Sequence, residues 1–528
     1  MANFLYLTAF SIAAAYIAAR SAFPYAALIG FLIPFSYAIF LVFVYPFYFS
    51  PFRHLPEPKG AKFPWAHASE ILENRNGPAY RKWMTTVPNG GMMRLRVLFN
   101  QERLLLTSPE AMKEVLVQKT YEFHKPSQPT FLFRQLLGNG ILVAEGAEHK
   151  EQRKALLPAF SFRHIKELYP LFWNKAREST EEIAKASKSS SESGPEPQKA
   201  YEWASRTTLD IIGQSGLGYD FNATSNPDGK IVQNYRLIFD NEPPNFRWTF
   251  VGIWAPLELM WYLRLPPLSY GKTIADSIRS FLTKRVQEKR GLLEKDAASQ
   301  IDIMSIAMKS GQFSDAEVVD QMMTFLAAGH ETTASALTWA IYQLCNFPKI
   351  QDRLREELRS SLPSIKDHNS TITAQQIESL PYLNAVCNEI LRFIPSVPTT
   401  VRDALVDTTI QGQFIPKGTR IFLSPWAMNT SPTLWGPDAQ EFNPDRWMAD
   451  GTANSGGSKN NFAFLTFLHG PRSCIGKDFA KAEFLCLLAA WIARFRVRWP
   501  EGERLDMDLH GWVTVRPGHK LPVLFEEV

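Results

Sequence analysis

The 528 residues are 45% hydrophobic and 21% charged, with 57 Lys and Arg against 52 Asp and Glu for a formal net charge of +5. That composition excludes a disordered chain, a collagen-like repeat and a small disulfide scaffold, and so slight a basic excess does not mark a nucleic-acid binder. Four cysteines, Cys345, Cys387, Cys474 and Cys486, form no Cys-x-x-Cys pair, which argues against a zinc or thioredoxin-like site and suits a reducing compartment.

The first 52 residues carry one charge, Arg20. Within them, Ala26–Phe49 exceeds the ~20 residues a helix needs to cross a bilayer and is expected to span it. Phe4–Ala19 is shorter and is expected as a second, tilted helix or an interfacial segment. No Lys or Arg precedes its apolar run, which counts against a cleaved signal peptide. Residues 1–52 are therefore read as a membrane anchor of one or two helices. Arg53, His54, Lys59 and Lys62 then face only Glu57, a positive-inside bias that puts the rest of the chain on the cytosolic side. Residues 53–64, with Pro56-Glu57-Pro58, read as a stiff, extended hinge.

Residues 65–528 contain no linker that would divide them and are expected to form a single body, mainly α with small β-sheets. Strand-like runs occur at Met93–Val97, Arg103–Thr107, Thr409–Phe414 and Arg420–Leu423. Ala186–Lys199 and Gly451–Asn460 read as surface loops. The Gly213-Gln214-Ser215-Gly216-Leu217-Gly218 run lacks the spacing and the preceding strand of a nucleotide-binding turn and is expected as a bend between helices. Ser314-Asp315-Ala316-Glu317 is a capping box that opens a helix of about 30 residues, ending before Asn346-Phe347-Pro348.

The sharpest chemical signal is Phe467-Leu468-His469-Gly470-Pro471-Arg472-Ser473-Cys474-Ile475-Gly476. Cys474 sits between a Gly- and Pro-rich turn and an apolar helical run, where backbone N–H groups and the helix dipole favour a thiolate. Gly470 and Gly476 allow close approach of a flat ligand. Arg472 offers a fork of donors to a carboxylate.

With this motif the sequence resembles the cytochrome P450 family of haem-thiolate monooxygenases, over nearly all of the chain after the anchor and most closely the fungal enzymes of specialised metabolism. The resemblance implies the cytochrome P450 fold and haem b, with Cys474 as the axial ligand of iron and Phe467 and Arg472 beside the cofactor. It implies that Ala328-Gly329-His330-Glu331-Thr332-Thr333, mid-way along the long helix, crosses the distal haem face. There Thr332 and Glu331 would deliver protons to oxygen. Glu389, Arg392 and Arg446, the last within Phe442-Asn443-Pro444-Asp445-Arg446-Trp447, correspond to the family's buried structural network. His149 and Arg153, in His149-Lys150-Glu151-Gln152-Arg153, stand where the family's Trp-x-x-x-Arg meets a haem propionate, and Arg402 matches a further propionate contact.

No flavin or nicotinamide fingerprint is present, so electrons are expected from a separate protein; the resemblance implies that this is an NADPH-dependent flavoprotein reductase, with cytochrome b5 as a further partner. Lys150, Arg153, Lys154, Lys477 and Lys481 are candidates for the basic docking face. The resemblance also implies an endoplasmic reticulum location. It places substrate-lining residues at Phe131, Phe133, Leu136, Leu137, Thr324, Phe325, Val397–Thr399, Trp512 and Val513, with an access channel along Asn245–Leu265. This apolar set suits a lipophilic substrate such as a terpenoid, a polyketide or a fatty acyl chain. Two alternatives stay open: a haem-thiolate isomerase or dehydratase that rearranges a peroxide without O2, and a haem-binding sensor without turnover.

Overall fold

The computed structural model describes residues 24–73, 77–188, 196–239, 261–263, 268–296, 301–501, 504–511 and 513–528. Helix α1 (Pro24–Ile39) runs on as wider π-helical turns over Phe40–Phe49. Within this run Leu32–Phe49, 18 residues of mean hydropathy 1.8 and 6% buried, is long and apolar enough to cross a membrane. The shorter segment Phe4–Ala19 lies outside the described residues.

The connection expected as a hinge is held at several points: Glu57 accepts Arg94 and Arg96, and His67 bonds the Pro58 carbonyl. Arg94 and Arg96 belong to a five-stranded sheet. It comprises β1 (Met92–Arg96), β2 (Glu102–Leu106), β3 (Phe123–His124), β4 (Thr400–Ala404) and β5 (Arg420–Leu423) in the order β1-β2-β5-β4-β3. β2 and β5 are parallel and the other pairs antiparallel. The expected strand Thr409–Phe414 is instead a hairpin of Thr408–Ile410 with Gln413–Ile415. Gln411 and Gly412 at its tip both take positive φ, the turn that matches strand twist.

The helical layer is built on α2 (Gly146–Leu156), α3 (Phe162–Ser187), α4 (Ala200–Ile212), α5 (Asp315–Asn346), α6 (Pro381–Phe393) and α7 (Lys477–Arg494). The expected capping box starts α5: Ser314 and Glu317 each bond the other's backbone N–H. Most of its 32 residues are buried because α5 is surrounded, and α3, α4, α6 and α7 share its hydrophobic core. Trp173, Trp339 and Trp491 fill that core with no exposed surface. Gly213–Leu217, expected as a bend between helices, instead continues α4 as a π-helical turn that ends at Gly218 with φ +60.

Candidate active site

Between a single 3-10 turn (Gly470–Arg472) and α7, the chain turns so that the Cys474 N–H bonds the Phe467 carbonyl at 2.9 Å. Gly470 is required there. Its φ is +78°, and a Cβ would run into the Leu116 carbonyl. Gly476 differs from expectation: its φ is −89°, and a Cβ would find its nearest neighbour, Phe160, at 3.8 Å. Its backbone does not demand glycine, and the small residue leaves room beside Cys474.

Cys474 lies deep in the protein, and burial pushes its thiol up, opposed by the Gly476 N–H and the Arg153 charge. Yet its surface is open. A residue that is both enclosed by protein and open to solvent faces an internal cleft. The other three cysteines are buried, with thiols raised by burial.

Beside the Cys474 loop the fold gathers an excess of positive charge. His149 is 3% exposed, and burial with Lys125, Arg472 and Arg153 lowers it to about 4, so it is a neutral imidazole at physiological pH. Its Nδ1 has no partner among the described residues. Arg472 bonds Glu145 and the Phe123 carbonyl, while its buried Nε is also without a partner. Buried Arg402 is lowered to about 10 by burial and by Arg472. Lys125 is lowered to about 8 by burial first, then against Glu145 by Arg402 and Arg472. One carboxylate, Glu145, thus faces three cationic side chains and a neutral histidine. Such crowding is costly unless further negative charge enters.

The Arg153 guanidinium donates to the Ser473 carbonyl at 2.7 Å and stands beside the Cys474 sulfur, so it braces the cysteine loop. Phe467 supplies the carbonyl that holds Cys474 and packs against the main core. Lys125, Glu145 and Tyr121, whose ring lies under both Lys150 and Arg472, were not anticipated from the sequence. They sit in no motif.

On α5, Ala328 is exposed and Thr332 half-buried in the middle of a buried helix. This stripe borders an interior space. It lies one turn beyond Phe325, which packs on Phe160, the residue next to Gly476. The Thr332 hydroxyl donates to the Ala328 carbonyl at 2.9 Å.

The structure does not bring Glu331 into the same stripe. Its carboxylate is buried and accepts Tyr201 Oη at 2.6 Å and Thr514 Oγ1 at 3.0 Å, with Arg516 at 3.6 Å. A one-residue step turns about 100° around a helix, which sends Glu331 to α4 and to the C-terminal hairpin of Leu509–His510 with Arg516–Pro517. Gly329 likewise serves packing, because a Cβ there would press on Ile212 of α4 at 3.0 Å. Of the expected lining residues, Thr324 and Phe325 are core-packed, Phe131, Phe133, Leu136 and Leu137 are half-buried, and Trp512 is outside the described residues. Of Asn245–Leu265, only Trp261, Tyr262 and Leu263 are described, the last two exposed.

Glu389 and Arg392 on α6 are fully buried and paired at 2.7 and 2.8 Å, and Arg446 reaches Glu389 at 3.1 Å. The sequence motif carries a fourth member that was not anticipated: Trp447 donates its indole N–H to Glu389 at 2.9 Å. The Asn443 N–H donates to it as well, at 2.8 Å. Arg392 spends its remaining donors on the Asn429, Ala439 and Glu441 carbonyls.

The family model for cytochrome P450 matches residues 79–524. The chain belongs to the cytochrome P450 family. It is 47% identical over 452 residues to the cytochrome P450 monooxygenase sphH of Aspergillus fumigatus, covering 85% of this chain and 83% of that one. Cytochrome P450 monooxygenase ALT8 of Alternaria alternata is 39% identical, covering 89% of each chain, and FUM15 of Gibberella moniliformis is 38% identical, covering 87% and 85%. The chain is accordingly an oxidoreductase of the cytochrome P450 monooxygenase type.

The family implies a haem iron, and the residues present fit one. The open thiol of Cys474, ahead of the start of α7, would hold the iron. The partnerless Nδ1 of His149 and Nε of Arg472, inside a cation-rich nest, suit the two carboxylates of the haem edge. When bound, a thiolate-held haem supplies the O2 activation that a side chain cannot.

Proposed function

We propose that this protein is a membrane-anchored monooxygenase of fungal specialised-metabolite type that oxidises a lipophilic small molecule. In balance, substrate, O2, NADPH and a proton give the hydroxylated product, water and NADP+, with electrons delivered by a separate flavoprotein reductase on the cytosolic face of the endoplasmic reticulum. The observation that carries this reading is the open, deeply set thiol of Cys474 between the cation nest and the α5 stripe. Names of the relatives support the reaction class.

In this reading Cys474 holds the iron, and His149, Arg402 and Arg472, with Lys125, hold the propionates. Arg153 fixes the loop through Ser473. Thr332 holds and passes a proton at Oγ1, for which its hydroxyl has only to leave the Ala328 carbonyl. Glu331 is assigned to locking α5 against α4 and the C-terminal hairpin, since Tyr201, Thr514 and Arg516 engage its carboxylate. The half-buried side chains of Ser127–Leu137 offer the substrate an apolar wall.

Thr332→Ala is expected to lower product formed per NADPH consumed, with the rate of product formation falling roughly 10²-fold. Stopped-flow NADPH oxidation together with product assay reads both quantities, and unchanged coupling would remove Thr332 from the proton route. For the reductase, Lys150, Lys154 and Lys477 form the exposed cation set, whereas Arg153 and Lys481 are partly withdrawn. Lys477→Glu is expected to slow reductase-driven turnover by about fivefold at low ionic strength, as for an exposed pair, with the deficit shrinking as salt is added.

The reading as a whole is tested by co-expression with a reductase and screening of lipophilic extracts for products heavier by one oxygen. Substrate turnover with no NADPH or O2 consumption would instead favour the rearrangement of a peroxide.

A further inference from the structure

Three neighbouring residues of α5 point three ways. Glu331 meets α4 and the C-terminal hairpin, Thr332 lies on the open stripe, and Thr333, about 100° further round, is turned to Glu483 of α7. Glu483 has no exposed surface and Thr333 is 3% exposed. Neither carboxyl oxygen of Glu483, nor Thr333 Oγ1, meets a hydrogen-bond partner among the described residues. A buried polar group left in this state calls for an explanation, and here two of them face each other across two helices.

The surroundings of Glu483 decide its charge. Cys486 stands on the following turn of α7, with Cys387 of α6 and Glu378 beside it, and Glu378 in turn accepts the Tyr169 hydroxyl of α3. None of these offers a positive charge. Lys481, on the same helix, bears on Cys387. From α5, Thr333 eases a charge on the carboxyl without offsetting burial, which pushes Glu483 well above the usual carboxylate range. A carboxylate stripped of water, with no cation and no set of donors, takes up a proton instead. With that proton it has both a donor and an acceptor to offer Thr333.

We propose that Glu483 is carried as an un-ionised acid paired with the Thr333 hydroxyl, and that this pair sets the register between the helix behind the Cys474 loop and the helix that carries Thr332. Glu483 is then a positioning residue: it lies about two turns into α7, and Thr333 directly follows Thr332. A directional bond fixes two packed helices where interchangeable apolar contacts leave them room to repack. The positioning role rests on the reading that haem lies between Cys474 and the α5 stripe; the protonation of Glu483 does not.

The test uses the purified full-length, haem-loaded protein. Infrared difference spectra between wild type and Glu483→Gln are expected to show, at neutral pH, the carbonyl band of an un-ionised carboxylic acid that moves in D2O and is lost in the variant. A carboxylate band in its place overturns the proposal. Stability gives a second reading. The folded protein keeps a proton that the unfolded chain releases near its ordinary value of about 4.3, so wild-type stability falls as pH rises above that value and until the raised folded value is passed. Glutamine does not titrate. The Glu483→Gln protein should therefore gain on wild type between about pH 5 and pH 8, by up to about tenfold per pH unit in the unfolding equilibrium, seen as a widening gap in melting temperature. A gap that stays constant with pH overturns the un-ionised acid.

Positioning is read from the C–O stretch of the reduced carbon monoxide complex, which senses the groups above the iron. Glutamine keeps a donor and an acceptor, so Glu483→Gln should leave the stretch as in wild type. Glu483→Leu and Thr333→Val should each shift and broaden it, and the double variant should do no more than either alone. A stretch unmoved in both single variants removes the positioning role. Loss of the thiolate signature from the wild type would remove it too, by removing the haem reading, while the infrared result would stand. If Glu483→Leu does not fold, Thr333→Val carries the comparison, because it replaces a single hydroxyl.

Discussion

Glu389→Gln is expected to give a protein that does not retain haem. Glu389 accepts bonds from Arg392 at both oxygens, from Arg446, from the Trp447 indole and from the Asn443 N–H. A glutamine keeps the shape but has one carbonyl oxygen and an NH2 that meets donors instead of acceptors. It also leaves Arg392, with no exposed surface, as a buried cation held only by carbonyls. Breaking a buried pair in this way costs about 3–5 kcal/mol, a large share of the ~5–15 kcal/mol by which a domain is stable.

The loss falls at the site because Arg392 ties α6 to the Asn429 carbonyl, and the Asn429 side chain holds the Leu465 N–H and Thr466 just ahead of Phe467. The haem-to-protein absorbance ratio after purification, together with the melting temperature, measures the effect. A Glu389→Gln protein loaded and melting like wild type would show that the network is dispensable.

Cys474→Ala is expected to abolish the red-shifted band of the reduced carbon monoxide complex, which depends on a thiolate ligand. The two substitutions should differ in kind. Glu389→Gln removes the scaffold of the loop, whereas Cys474→Ala removes one atom from a loop still braced by Arg153 on Ser473, with the cation nest intact. Haem content should therefore fall less in Cys474→Ala than in Glu389→Gln, while the thiolate signature and product formation are lost completely. A retained band would mean that another group ligates the iron.

Much of the site was legible because its signals are short-range. Ser314 and Glu317 specify the start of α5 by bonds across three residues, and the 32-residue helix follows. The Phe467–Gly476 run carries its own turn, since the Cys474-to-Phe467 bond closes within seven residues and Gly470 supplies the positive φ. Glu389 and Arg392 stand one helical turn apart and had to share a face.

Other features escaped because their partners are distant in the chain. Arg472 meets Glu145 across 327 residues, and Trp447 meets Glu389 across 58. Neither pairing leaves a period or spacing to read. The single strand expected over Thr409–Phe414 missed a turn whose two positive φ values fall on Gln411 and Gly412, and only the second advertises that freedom.

The sequence by itself determined the apolar N-terminal helix, the long central helix, the cysteine loop and the family, since each is encoded by neighbouring residues whose spacing matches a helix, a turn or a motif. The tertiary structure decided what each polar group faces. It turned Glu331 away from Thr332 toward Tyr201 and Thr514, set Arg153 on the cysteine loop, and clamped the supposed hinge onto Arg94 and Arg96. A buried charge goes where a partner can satisfy it, and those partners are brought together only when distant segments pack.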